Sequence, residues 1–128
     1  MDLYTEIILD HFKNPRNKGE IKNATISITD TNPLCGDKIK IDLLLDSKKC
    51  IKKVAFTGNG CAISQAASSL LMDTLVGKSL NEIEKLKKED IYKLLNVKIS
   101  PGRSKCALLP LVALKKAAIL AKHSHEKK

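Results

Sequence analysis

Three cysteines of the chain stand beside turn signals and not inside apolar runs. Cys35 lies in Asn32-Pro33-Leu34-Cys35-Gly36-Asp37, Cys61 in Gly58-Asn59-Gly60-Cys61, and Cys106 in Pro101-Gly102-Arg103-Ser104-Lys105-Cys106. Gly- and Pro-marked turns let backbone approach a ligand and leave a side chain accessible, whereas a structural cysteine falls more often within an apolar stretch. Asp37, two positions after Cys35, completes a set of four candidate ligands for a soft metal or a metal–sulfur centre. The wide spacing is not that of a zinc finger, which uses close Cys-x-x-Cys pairs. The whole fold must therefore gather the ligands, each from its own loop. A site of that kind can be exposed and can release what it holds. The carboxylate of Asp37 is a harder and weaker ligand than a fourth thiolate, which favours lability.

The segments that must carry these residues read as one α+β domain over 1–128. Residues 2–13 hold Leu3, Ile7, Ile8 and Phe12 at helical spacing, and Asn14-Pro15-Arg16-Asn17-Lys18-Gly19 ends that helix. Strand patterns follow over 24–30, 38–45 and 51–56, with short connections that favour a three-stranded antiparallel sheet. Residues 61–76, rich in Ala and Ser, read as a tightly packed helix stopped by Gly77. Ser79-Leu80-Asn81-Glu82 is a capping-box start for a short helix over 80–86, and 88–95 suggests another. Residues 103–122 form the last helix, which Pro110 is expected to kink or divide, and 123–128 read as a frayed tail. Helices packed on one face of a small sheet are the expected architecture.

On this layout Cys61 opens the long helix and Cys106 falls in the first turn of the last one. The positive end of a helix dipole favours thiolate over thiol, and the cations of Arg103 and Lys105 push the same way at Cys106. Thiolate is the form that binds metal and attacks sulfur donors.

The bulk composition narrows the class further. The net charge of +9 invites a nucleic-acid reading, but the basic residues are almost all Lys, with Arg16 and Arg103 alone offering the planar fork that suits phosphates and guanine edges. Lysines interleave with acids, and with no Trp, two Tyr and two Phe there are few platforms for bases. No nucleic-acid partner is expected; a lysine-rich surface facing an acidic protein fits. No apolar run reaches the roughly 18–20 residues that span a bilayer, so no membrane partner is expected either. Met1-Asp2-Leu3-Tyr4-Thr5-Glu6 is acidic before it is apolar and does not resemble a secretory signal, so cytoplasm is the default. In that compartment four cysteines are expected as reduced thiols and not as disulfides.

Taken together, Cys-Gly-Asp, then Gly-x-Gly-Cys before an Ala/Ser-rich helix, then a cysteine opening the last helix, resemble the iron–sulfur cluster assembly scaffold family of the NifU N-terminal, IscU and SufU type. The stretch Asp10-His11-Phe12-Lys13-Asn14-Pro15-Arg16-Asn17 is similar to the family's Asp-His-aromatic-x-Asn-Pro-Arg-Asn signature. The resemblance covers nearly the whole chain. It implies Cys35, Asp37, Cys61 and Cys106 as ligands of a [2Fe–2S] cluster. It implies sulfur delivered as persulfide by a cysteine desulfurase, a PLP enzyme, and cluster transfer to apo iron–sulfur proteins. Cys106 and Cys35 are the candidate persulfide acceptors, with Cys106 preferred, and Arg103 and Lys105 the site-tuning residues. A monomer or weak homo-oligomer is expected.

Two departures keep a second reading open. Lys105 stands where the IscU branch has His, so Arg103-Ser104-Lys105-Cys106 looks like the SufU branch, as does Phe56-Thr57-Gly58-Asn59-Gly60-Cys61-Ala62-Ile63-Ser64. The extra segment that the SufU branch carries between its second and third cysteines is missing, and so is the Leu-Pro-Pro-Val-Lys motif of the IscU branch, near whose place Leu95-Asn96-Val97-Lys98 stands. The resemblance therefore leaves Zn2+ at the same four residues, and zinc-dependent sulfur transfer, as the alternative to cluster assembly. Outside the set, Cys50 reads as structural, His11 as a residue packed or hydrogen-bonded locally, and His123 and His125 as tail residues.

Overall fold

The computed structural model describes residues 3–32, 36–96 and 101–126. The elements among them are α1 (Leu3–Lys13), β1 (Ile26–Asn32), β2 (Asp37–Leu45), β3 (Ile51–Asn59), α2 (Ala62–Asp73), α3 (Leu80–Glu84), α4 (Lys88–Leu95) and α5 (Pro101–Glu126). The strands pair antiparallel in the order β1-β2-β3. Their register sets Ile28 against Ile41 and Ile41 against Phe56. Because alternate residues face opposite sides of a sheet, Ile39, Ile41, Leu43, Val54 and Phe56 share one face. Helices cover that face, α5 against β1 and β2 and α2 against β3. One buried cluster then joins the sheet to Ile8, Leu71, Met72, Ile83, Ile91, Leu95 and Leu114. The α+β class and the three-stranded antiparallel sheet agree with the sequence pattern.

Several boundaries differ. β1 begins two residues after the expected start, and β3 runs on to Asn59, three residues past the expected end. The extension is possible because residue 58 is glycine; a Cβ there would collide with the Lys38 carbonyl across the ladder. α5 is longer than 103–122 at both ends and is not divided by Pro110. Proline removes its own N–H and crowds the carbonyl four residues back, at a cost of about 3 kcal/mol. Burial outweighs that cost, since Ala113, Leu114, Ala117 and Ala118 of α5 are wholly buried. The backbone of 123–126 belongs to the same helix and is not a frayed tail.

The outer edge of β3 is closed at two places by the chain itself. Phe56 donates its N–H to the Asn17 carbonyl and accepts from the Gly19 N–H, both at 2.9 Å. At the other end Ile51 exchanges bonds of 2.8 Å with Lys78 and Gly77. On the sheet face away from the helices, Asp42 is 2% exposed. It accepts from Ser27 Oγ at 2.5 Å and from the Ile21 N–H at 3.0 Å, which ties the 20–23 segment to the sheet. That buried carboxylate was not foreseen.

Candidate metal centre

Each residue of the centre is placed by the end of an element. Gly36 has φ +73, a left-handed conformation that glycine adopts without strain, and donates its N–H to the Asn32 carbonyl at 2.8 Å. The chain thereby enters β2 at Asp37, opposite Asn32 in the register, and Asp37 is 3% exposed. Two residues, Gly60 and Cys61, link β3 to α2. Cys61 is the N-cap of α2, with its Sγ accepting the Ser64 N–H at 3.5 Å and its carbonyl accepting the Gln65 N–H at 3.0 Å. A thiol thus does the work usually given to Ser, Thr, Asp or Asn. Cys106 comes from α5 and is 5% exposed.

The Sγ atoms of Cys61 and Cys106 and a carboxylate oxygen of Asp37 all lie within 4.8 Å of one another. Cys61 Sγ and Asp37 Oδ2 are 4.0 Å apart. Around a tetrahedral metal, bonds of about 2.3 Å to sulfur and 2.1 Å to oxygen put neighbouring ligand atoms roughly 3.6–3.8 Å apart. The donors therefore need close by only about an ångström, within reach of side-chain rotation. Two sulfurs and one carboxylate suit zinc or iron, and they fit the chemistry read from the sequence.

Other expectations fared differently. Cys35 lies outside the described residues, as does the side chain of Arg103. Cys106 is not in the first turn of its helix and is not accessible: α5 starts at Pro101, so Cys106 is its sixth residue and is buried. The helix dipole acts within the first turn, and Cys106 lies beyond it. Lys105 is exposed and lines a groove of about 300 Å³ between β1 and α5, with Asn32, Leu108 and Val112. Cys50 stands at the opposite end of β3, away from the cluster, with its N–H on Asp46 Oδ1 at 3.0 Å.

The N-terminal signature builds a clasp on α2. His11 Nδ1 meets Ser69 Oγ at 2.6 Å, and the Arg16 N–H donates to the same oxygen at 2.8 Å. His11 is packed, one of the two expected alternatives, and its hydrogen-bond partner is 58 positions away in sequence. Burial, then the Arg16 charge, hold the His11 pKa below its usual value of 6.5. Arg16 pairs with Asp10 at 2.6 Å, and that hydrogen bond, followed by one from Asn14, lowers the Asp10 carboxyl. Gly60 and Ser64 are the residues beside the centre whose part the sequence did not show; a serine three positions after a helix-capping cysteine was the available signal.

Comparison with known proteins agrees with this fold. The model of the NifU-like N-terminal domain matches residues 3–128. The chain belongs to that family. It is 35% identical to the zinc-dependent sulfurtransferase SufU of Bacillus subtilis, over 89% of this chain and 88% of that protein. It is 32% identical to the iron–sulfur cluster assembly scaffold protein IscU of Escherichia coli K12, over 98% of each. The crystal structure of FiSufU from Fervidobacterium islandicum AW-1 superimposes with a TM-score of 0.77 at 32% identity, covering 88% of this chain and 94% of that one. Among the described residues no helix is long and apolar enough to cross a membrane.

Proposed function

We propose that the chain is a scaffold, acting as one domain over 1–128, on which a [2Fe–2S] cluster is assembled and from which it passes to apo-proteins. Cys35, Asp37, Cys61 and Cys106 hold the cargo, and a cysteine desulfurase in the cytoplasm supplies the sulfur. The observation that carries this reading is the convergence of Asp37, Cys61 and Cys106 from three separate elements, within 4.8 Å, in a chain of this family. The thiolates would hold the iron of the cluster, Asp37 supplies the weaker bond that lets cargo leave, and the buried position of Cys106 keeps water from its sulfur. Lys105, next in sequence to Cys106, and Arg103 are the cations that tune the site.

A second reading has its own support. The relative named a zinc-dependent sulfurtransferase is 35% identical, and Lys105-Cys106 follows the SufU pattern. Here the same residues hold Zn2+, and Cys106 or Cys35, the acceptors expected from the sequence, takes the persulfide sulfur. Metal and acid-labile sulfide analysis of the untagged protein separates the two, followed by anaerobic reconstitution with ferrous iron, cysteine, a desulfurase and a thiol reductant that releases the persulfide sulfur as sulfide. Scaffold function predicts a visible charge-transfer spectrum that Cys61→Ser and Cys106→Ser lose. Stoichiometric zinc, no cluster after reconstitution and strong stimulation of desulfurase turnover establish the second reading. Variants that gain the wild-type spectrum at equal stability refute the ligand set.

A further inference from the structure

We propose that Ser64 is a positioning residue for Asp37: when the centre is loaded, its hydroxyl turns from the Cys61 carbonyl to Asp37 Oδ1 and so holds Oδ2 on the metal. The inference rests on the reading of Asp37 and Cys61 as ligands and adds a residue outside that set. The Asp37 carboxylate divides its two oxygens. Oδ2 faces Cys61 Sγ at 4.0 Å, whereas Oδ1 borders the space over Gly60, where a Cβ would come within 3.0 Å of it. The same Cβ would collide with Ser64 Oγ, so hydroxyl and carboxylate share the space that glycine leaves open. Ser64 is 4% exposed and Asp37 3%, which limits competition from water.

The present partner of the hydroxyl can spare it. Ser64 Oγ donates to the Cys61 carbonyl at 3.1 Å, but that oxygen already accepts the first helical bond from Gln65. A hydroxyl carries one rotatable proton, and a hydrogen bond to a carboxylate is roughly twice as strong as one to a neutral carbonyl. Hydrogen bonds of this kind to a ligating group typically change metal affinity by about 10–100-fold. Gly60 is the condition for the pair, because any side chain there would fill the gap between them.

The test uses Co2+ for spectra and Zn2+ for release to a chromophoric chelator. Wild type must first bind Co2+ with thiolate charge-transfer absorption; without it the ligand reading itself fails, and the proposal falls with it. Given that, Ser64→Ala should keep the charge-transfer band, shift the d–d bands and release Zn2+ roughly 10–100-fold faster. In an Asp37→Ala background, Ser64→Ala should add nothing, since the two act as a pair. Release and d–d bands unchanged by Ser64→Ala overturn the proposal. So does an equal acceleration in both backgrounds, which would mean that Ser64 acts through the backbone of Cys61.

Discussion

Ser69 has one hydroxyl proton and two neighbours. The Arg16 N–H donates to its oxygen at 2.8 Å, and His11 Nδ1 lies 2.6 Å from the same oxygen. Burial and then Arg16 lower the His11 pKa, and Asp73 and Asp10, which pull the other way, do not reverse this. The unfolded chain therefore binds this proton more readily than the fold does. Stability from His11 is complete above the unfolded value near 6.5 and is lost as pH falls through it toward the lower folded value. Thermal unfolding between pH 7 and 5 should show a falling midpoint that His11→Gln flattens; an equal slope in the variant would assign the acid sensitivity elsewhere. At this scale the sequence was partly legible. Turn context grouped Asp37, Cys61 and Cys106, whose ligand atoms do come together. The burial of Cys106 was hidden because Pro101-Gly102, which reads as a loose turn, is already helix. The tie from His11 to Ser69 was hidden because no local pattern reports a contact across 58 positions.

Among the elements, α5 departs furthest from its expected form. Pro110 lies four residues after Cys106, so the bond from residue 110 to the Cys106 carbonyl cannot form. The helix stays whole because its core face is buried, a tertiary effect that propensity alone does not reveal. Pro110→Ala should restore the rung. Native-state hydrogen exchange should then show a new protected amide at position 110 and slower exchange in the adjoining turns; a fast-exchanging amide there would mean that the backbone at Cys106 is held open by something other than proline. The strands were legible from their alternation, and the capping box at Ser79 and Glu82 stands where the sequence put it. The strand ends were not, because the extension of β3 depends on a cross-strand approach at Gly58 that only the register discloses.

For the molecule as a whole, the centre ties together β2, the start of α2 and α5, three parts distant in sequence. A ligand that binds only the folded chain stabilises it, by about 2.7 kcal/mol at a free concentration 100 times its Kd. Saturating Zn2+ should therefore raise the unfolding midpoint of the metal-free protein, a chelator should reverse the shift, and Cys61→Ser should abolish it. No shift in wild type would mean that metal does not bind these elements together. The overall architecture was readable because an aliphatic core leaves a clear periodic trace in both strands and helices. One further consequence comes from the two backbone clasps on β3. A strand with a bare rim is a template on which a second copy can continue the ladder toward fibrils. Here the chain's own residues 17–19 and 77–78 occupy that rim at either end, with exposed Lys52 and Lys53 between them. The molecule can thus keep a sheet of only three strands without offering this edge as a seed for aggregation.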